Sequence, residues 1–185
     1  DLLTTYAVPT SRGTVTLCAP PGLDRSQGMA VVKEAGALKK IDSPYIIGLE
    51  DYGYLDWESY RAPYVVMDYF QGENLEEWIE RRGAFTEERG VEIARALAEG
   101  LRDAHGCRVI HRDLKPANVL YREREEGFEL KIIDFGLALG DEQSRELARS
   151  RGRSDGKSLM AESIAGTLYY APPEQLGEEV GGKLW

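Results

Sequence analysis

The sequence is poor in the residues that build disulfide frameworks and metal clusters. Its 185 residues include only two cysteines, Cys18 and Cys107, and two histidines, His105 and His111. The cysteines are isolated and lack metal-ligand spacing, so we interpret them as small buried hydrophobic side chains in a reducing compartment. The histidines form no ligand set either. A disulfide-stapled scaffold and a zinc module are therefore not expected.

Long apolar runs and an excess of positive charge are also missing. No apolar run approaches the roughly 18 residues that would cross a bilayer, and no signal peptide pattern opens the sequence. We therefore expect no membrane segment in this chain, and the isolated cysteines lead us to expect a cytoplasmic protein. The net charge of −9 argues against nucleic-acid binding. A hydrophobic content of 42% with 30% charged residues is typical of an ordinary globular chain, and the length favours a single domain.

The most informative stretch runs from His111 to Leu120. A carboxylate, an ammonium and a carboxamide occur within six positions of it, at Asp113, Lys115 and Asn118. Pro116 fixes its own φ angle and biases the preceding residue away from helix. The pattern therefore predicts a rigid loop that carries three polar groups of different chemistry.

A hairpin follows this loop. Two apolar runs flank the charged stretch 122–127, which predicts a pair of antiparallel strands. Folding the hairpin about Glu126 places Asn118 opposite Asp134. A carboxylate and an amide oxygen suit a hard cation such as Mg²⁺, which takes few protein ligands and completes its shell with phosphate and water. The sequence thus predicts a magnesium site at one end of a small sheet.

The remaining segments predict a mixed fold. Strand patterns occur at 4–8, 14–19, 52–54 and 64–67, and helix patterns occur at 27–40, 75–82 and from the N-cap Thr86 to a C-terminal cap at Gly106. The third helix carries an apolar stripe that we expect to face the core. The stripe consists of Val91, Ala94, Leu97, Ala98, Leu101, Ala104 and His105.

These motifs carry a resemblance to a known family. His111-Arg112-Asp113, Lys115 and Asn118, followed by Asp134-Phe135-Gly136, resemble the catalytic domain of eukaryotic-type serine/threonine protein kinases, including their bacterial-like members. The resemblance implies an α+β, two-lobed fold. It places a partial small β lobe at 1–67, a hinge at 68–70 and a partial, mainly helical large lobe through the activation segment at 71–185. It also implies a domain truncated at both ends, as in a fragment of a longer kinase.

The resemblance implies an ATP-dependent phosphotransferase that uses ATP and Mg²⁺ and acts on Ser or Thr hydroxyls of a protein substrate. Asp113 would accept or orient the proton of the hydroxyl, and Lys115 would neutralise charge on the transferred phosphoryl group. Asn118 and Asp134 would hold Mg²⁺ against the phosphates. Thr167 resembles the threonine that contacts the catalytic aspartate and lysine.

The other nucleotide-binding positions are implied in the same way. Glu34 takes the position of the helix glutamate that pairs with an ATP-binding lysine, and Met67 resembles the gatekeeper. The backbone of Asp68-Tyr69-Phe70 would hydrogen-bond adenine. Asn74 falls near the ribose, and Leu120 would pack beneath adenine. The side-chain stack that links the two lobes in the family is matched by Leu38, Leu49, His111 and Phe135.

Two departures from the family pattern leave an alternative open. No G-x-G-x-x-G loop is present, and Cys18 stands where the family's V-A-I-K strand has its lysine. Lys33 is a poor substitute for that lysine, because it directly precedes Glu34 and neighbouring residues on a helix point in different directions. A charged contact to phosphate is worth roughly 1.5–3 kcal/mol. The alternative is therefore a pseudokinase or scaffold binding module. A second alternative is a small-molecule kinase of related fold, but Thr167 and Pro173-Glu174 argue against it.

The segment after the hairpin is basic within an acidic chain. Five basic and two acidic residues lie between Gln143 and Lys157, a net charge of +3. By resemblance it belongs to an activation segment, and we expect self-phosphorylation within 137–165. A phosphate there would bring negative charge that Arg112 could bind. The candidate phosphosites are Ser150, Ser154, Ser158 and Ser163.

Overall fold

The computed structural model describes residues 4–10, 13–19, 25–56, 61–135 and 170. In chain order the elements are β1 (Thr4–Thr10), β2 (Gly13–Ala19), α1 (Arg25–Leu38), β3 (Leu49–Asp56), β4 (Arg61–Asp68), β5 (Glu73–Asn74), α2 (Leu75–Arg82), α3 (Glu87–Gly106), a short 3-10 turn (Pro116–Asn118), β6 (Val119–Glu123) and β7 (Phe128–Ile132). The predicted strands and helices are present, and the mixed fold class is confirmed.

The first half of the chain forms an antiparallel sheet backed by one helix. The strand order is β1-β2-β4-β3, and the register places Cys18 opposite Val65. Helix α1 packs on β3 and β4. It buries Val31, Ala35 and Leu38, which lie on one face because they are spaced by four and three residues.

The second sheet is small and contains the predicted hairpin. Its order is β5-β6-β7. The ladder pairs Val119 with Ile132, so the register differs by one residue from the predicted one. Asn118 lies beside Ile133, whose N–H donates to the Asn118 carbonyl at 3.0 Å. Asp134 is one residue beyond the position expected, because the turn is centred between Glu125 and Glu126 rather than on Glu126.

Both helices of the second half begin at capped residues. Asn74 caps α2 in a reciprocal capping box with Glu77, and the Thr86 side chain accepts from the Arg89 N–H at the start of α3. Helix α3 ends one residue later than expected. Gly106 is its last helical residue, Cys107 is the C-cap, and the left-handed residue is Arg108 with φ 61°.

The predicted inward stripe of α3 is wrong in part. The buried residues of this helix are Ile93, Ala96, Gly100 and Ala104, whereas Val91 is 58% exposed and Ala94, Ala98 and His105 are also exposed. The reason is close packing. A Cβ on Gly100 would lie 2.9 Å from Ile132 Cδ1 and 3.0 Å from Tyr45 Cβ, so the helix approaches its neighbours through its small residues. Cys107 is exposed too, contrary to its interpretation as a buried hydrophobe.

The segment between α1 and β3 joins the two halves. Ile46 forms an isolated parallel bridge with Ile132. Ile132 N–H donates to the Tyr45 carbonyl at 2.7 Å, and Ile47 N–H donates to the Ile132 carbonyl at 3.1 Å. The buried Ser43 hydroxyl donates to Asp103 on α3 at 2.7 Å. The first sheet is therefore hydrogen-bonded through this segment to the strand that precedes Asp134. The lobe boundaries near 67 and 71 stay predictions.

Within the described ranges, no helix combines the length and the apolar character that a membrane span needs.

Candidate active site

The predicted polar loop is tightly bonded to itself. Lys115 Nζ lies 3.0 Å from Asp113 Oδ2 in an ion pair. Asn118 Nδ2 donates to the Asp113 carbonyl at 2.8 Å and to Asp113 Oδ2 at 3.3 Å. The backbone reverses at Arg112, whose φ of 68° is in the left-handed region. This geometry brings Asp113, Lys115 and Asn118 to one point, as the spacing predicted.

His111 fastens this loop to the end of β7. Its Nε2 lies 2.9 Å from the Ile133 carbonyl oxygen, and its Nδ1 accepts the Asp113 N–H at 3.3 Å. Because a carbonyl can only accept and an N–H can only donate, Nε2 carries the proton and the ring is neutral. Burial lowers the pKa of His111, which agrees with this state. Its ring also contacts Phe135, with centroids 4.6 Å apart.

Asp134 lies next to this loop, because Ile133 before it is hydrogen-bonded to Asn118 and His111. It follows β7 with a left-handed φ of 60°, a conformation that costs strain for any residue with a side chain. Burial raises the pKa of Asp134, the positive charge of Lys115 lowers it, and the negative charge of Asp113 raises it. The placement rests on the backbone of Ile133, which is hydrogen-bonded to the Asn118 carbonyl and to His111, and the couplings to Lys115 and Asp113 agree with it.

The donor set fits Mg²⁺. The Nδ2 group of Asn118 is used by Asp113, so Oδ1 is the atom that could face a cation. Asp134 supplies a half-buried carboxylate that has no hydrogen bond or ion pair to the described part of the chain. That part of the chain contains no group of three His, Cys, Asp or Glu side chains suited to a metal. A cation here would therefore need phosphate and water oxygens in addition to these two ligands, which is the usual arrangement for Mg²⁺.

The predicted gatekeeper lies close to this site. Met67 is buried at the end of β4. It lines a small cavity together with Leu38, Leu49, Asp134 and Phe135. Three members of the predicted stack therefore share one cavity wall, and the fourth, His111, contacts Phe135.

The predicted hinge and ribose positions follow β4. Asp68 N–H donates to the Gly48 carbonyl at 2.9 Å, and the half-buried Phe70 follows two residues later. Asn74 lies opposite Leu120 in the ladder between β5 and β6. Its Oδ1 accepts the Glu77 N–H at 2.8 Å, so this side chain caps α2. The roles of these residues towards a nucleotide stay predictions.

Glu34 is half-buried on α1, and burial raises its pKa while the charge of Arg112 lowers it. Its electrostatic neighbour among the described residues is therefore the arginine that precedes Asp113. The backbone of Cys18 is placed on β2. Gly136, Thr167, Pro173-Glu174 and the segment 137–165 lie outside the described residues.

Reasoning from the sequence missed the Ile133 carbonyl as the acceptor that orients His111. No sequence pattern reveals a backbone acceptor on another strand, so this contact required the fold.

The loop 111–118 and Asp134 thus lie together at the end of a hairpin, beside a sheet of four strands. The protein kinase domain model matches residues 21–183 of this sequence. The chain belongs to the protein kinase domain family, and the predicted family is confirmed.

Named relatives are serine/threonine protein kinases. The chain is 33% identical over 144 residues to the serine/threonine-protein kinase RAD53 of Saccharomyces cerevisiae, covering 78% of this chain and 15% of that protein. It is 37% identical over 151 residues to serine/threonine-protein kinase A of Synechocystis sp., covering 76% of this chain and 26% of that protein. The chain therefore spans about a quarter or less of the length of these relatives.

A solved structure has the same fold. The crystal structure of Rad53 residues 1–466 in complex with AMP-PNP matches with a TM-score of 0.63 and 27% identity, over 74% of this chain and 35% of that chain. The two-lobed kinase-like fold class is confirmed by this likeness.

Proposed function

We propose that this chain is part of an ATP-dependent protein kinase that transfers the γ-phosphoryl group to Ser or Thr hydroxyls of protein substrates. The observation that carries the proposal is that Asp113, Lys115 and Asn118 are bonded to one another, and that Ile133, the residue before Asp134, is hydrogen-bonded to Asn118 and His111. Phosphoryl transfer needs little more than positioning and charge stabilisation, and these four groups supply both.

The role of each residue follows from its chemistry. Asp113 accepts or orients the proton of the attacking hydroxyl as the oxygen bonds to phosphorus. Lys115, 3.0 Å from that carboxylate, lies where it can offset negative charge on the phosphoryl oxygens. Asn118 and Asp134 would hold Mg²⁺, which supplies further neutralisation of phosphate charge when it is bound.

The direct test is phosphorylation of a Ser- or Thr-containing protein or peptide with ATP and Mg²⁺, comparing the unchanged chain with Asp113→Asn. We expect the substitution to lower the rate by about 10²–10⁴-fold, the usual contribution of a positioned acid or base. The matched control is Asp42→Asn, which removes an exposed carboxylate away from the loop. Equal phosphate incorporation by the Asp113→Asn and unchanged chains would refute the proposal.

The alternative function is a pseudokinase or scaffold module, and the observation that favours it is Cys18 in place of the lysine of the family. Under this alternative the unchanged chain transfers no phosphate, whether or not it binds a nucleotide. The retention of Asp113, Asn118 and Asp134 together supports the catalytic function instead, because a protein without phosphotransfer has no chemical need for all three.

Three finer points belong to the proposal. The use of Mg²⁺ is supported by the oxygen donors of Asn118 and Asp134. Self-phosphorylation within 137–165 is supported by the four serines and the basic residues of that segment. A cytoplasmic location is supported by the two isolated cysteines.

A further inference from the structure

Arg122 on β6 lies over the ring of Phe70, the last residue of the predicted hinge. Its guanidinium carbon is 5.2 Å from the centre of that ring. Its Nε is buried and, within the described part of the chain, has no hydrogen-bond partner. With Nε left without a hydrogen bond, this guanidinium is held by its cation–π contact with the ring and by the bonds of its terminal nitrogens.

Glu129 holds this arginine from the neighbouring strand. Arg122 and Glu129 are directly opposite each other in the ladder between β6 and β7, and their side chains form an ion pair with a hydrogen bond. That hydrogen bond is the first cause of the lowered pKa of Glu129. Glu129 also bonds Arg124, whose Nε donates to it at 2.7 Å. One carboxylate therefore serves two arginines, of which Arg122 lies over Phe70.

Gly72 shows that the ring of Phe70 is confined. A Cβ at position 72 would lie 2.5 Å from Phe70 Cε1 and 2.5 Å from the Tyr121 carbonyl oxygen. The Gly72 N–H also donates to the Phe70 carbonyl at 3.1 Å. Gly72, the second residue after the hinge, thus lacks a side chain at the place where the Phe70 ring and the backbone of β6 approach each other.

We propose that Arg122, anchored by Glu129, is a positioning residue that holds Phe70 against the hairpin and thereby sets the affinity of the hinge for the adenine base. This inference rests on the proposed function, since it assumes that the hinge binds ATP. The same hairpin ends at Asn118 and Ile133 next to the phosphate site. It therefore places the adenine-binding backbone and the phosphate-binding groups on a common support.

The test compares Arg122→Met with Arg124→Met. Both substitutions remove one positive charge and one ion pair to Glu129, but Arg122 is the one that lies over Phe70. The binding of ATP and of tripolyphosphate, each with Mg²⁺, is measured by calorimetry, because tripolyphosphate lacks the base. We expect Arg122→Met to weaken ATP binding by roughly three- to tenfold, the usual strength of a stacked guanidinium. Tripolyphosphate binding should change by less than about twofold, and Arg124→Met should leave both ligands unaffected.

Two further variants separate stacking from charge. Arg122→Lys keeps the charge without the planar face and should share the loss of ATP affinity. In a Phe70→Leu background, Arg122→Met should have no additional effect. Wild-type affinity in Arg122→Lys, or equal weakening of ATP and tripolyphosphate in Arg122→Met, would overturn the inference.

Amide hydrogen exchange without nucleotide makes the test independent of the proposed function. Exchange over 69–72 should be faster in Arg122→Met than in Arg124→Met, and equal rates would overturn the positioning role. If the unchanged chain binds no ATP, the proposed function fails, while exchange still decides whether Arg122 holds the hinge. Thermal unfolding of each variant shows whether it is folded. If Arg122→Met is misfolded, Glu129→Gln is measured in its place and should show the same loss of ATP affinity and the same faster exchange over 69–72.

Discussion

The Nε2–H group of His111 donates to the carbonyl oxygen of Ile133 at 2.9 Å. This single bond joins the loop that carries Asp113 to the residue immediately before Asp134. The two carboxylates of the site come from segments about twenty positions apart in the chain, and His111 fixes their separation by using both of its ring nitrogens. A buried neutral imidazole is therefore part of the support of the site.

The first prediction concerns pH and His111. Burial lowers the pKa of His111 from the ordinary value of 6.5, so the unfolded chain binds the proton more readily than the folded one. Stability is then fully present above about pH 6.5 and is lost as the pH falls towards the lowered pKa of the folded state. We expect the unfolding temperature of the unchanged chain to fall between pH 7.5 and 5.5.

His111→Gln should remove this part of the pH dependence. It should also lower the free energy of unfolding at pH 7.5 by about 1–3 kcal/mol, because the Ile133 carbonyl loses the donor that His111 provides. His105→Gln, at the exposed end of α3, is the control and should keep the pH dependence of the unchanged chain. The same slope in His111→Gln would contradict the prediction. The unfolding temperature of each chain is measured across this pH range by circular dichroism.

The second prediction concerns Asp134. Its pKa is raised, mainly by burial, so the folded state disfavours the ionised form. Stability from this group is therefore present at low pH and is lost as the pH rises from about 3.8 through the raised pKa. Asp134→Asn should raise the unfolding temperature at pH 7 without metal, and the gain should disappear below about pH 3.8.

The same substitution should weaken binding of ATP with Mg²⁺ by about ten- to hundredfold, because a charged contact of roughly 1.5–3 kcal/mol is lost. Asp42→Asn is again the control and should change neither property. An Asp134→Asn chain that is less stable at pH 7, or that binds ATP and Mg²⁺ as tightly as the unchanged chain, would show that this carboxylate is structural. Calorimetry of ATP binding with and without Mg²⁺ distinguishes a metal-binding carboxylate from a structural one.

The third prediction concerns two glycines of α3. Gly90→Ala should stabilise the chain by about 0.5–1 kcal/mol, because a Cβ there has no heavy atom within 4 Å and alanine favours the helix. Gly100→Ala should destabilise it, because overpacking against Tyr45 and Ile132 costs about 1–3 kcal/mol. Denaturant unfolding of both variants is the measurement. A stabilising Gly100→Ala would mean that α3 does not approach the segment around Tyr45 so closely.

The fourth prediction concerns the missing lysine. Cys18→Lys should strengthen ATP binding by about ten- to hundredfold, the equivalent of one charged contact to phosphate. Glu34→Gln should reduce that gain, because the half-buried carboxylate of Glu34 is the expected partner of the new ammonium. Cys107→Lys adds the same charge at the other cysteine, which is exposed, and should have no effect. Equal affinity of Cys18→Lys and the unchanged chain would place the phosphate contact elsewhere.

Local chemistry was enough to predict much of the molecule. Proline after Lys115, the caps at Asn74 and Thr86, and the two apolar runs of the hairpin act within a few residues of themselves, so their consequences can be read along the chain. The loop at 111–118 and its approach to Asp134 were predicted for that reason. The nucleotide roles of Glu34, Met67 and Leu120 rest on family resemblance and stay predictions.

The sequence by itself determined which elements form and which polar groups lie at the end of the hairpin. The tertiary structure alone decided the hairpin register, the buried face of α3 and the partners of His111 and Arg122. Each of these depends on how closely two distant segments can pack: Gly100 against Tyr45, or Gly72 against Tyr121. Such contacts leave no local periodicity, because their partners are far apart in the chain.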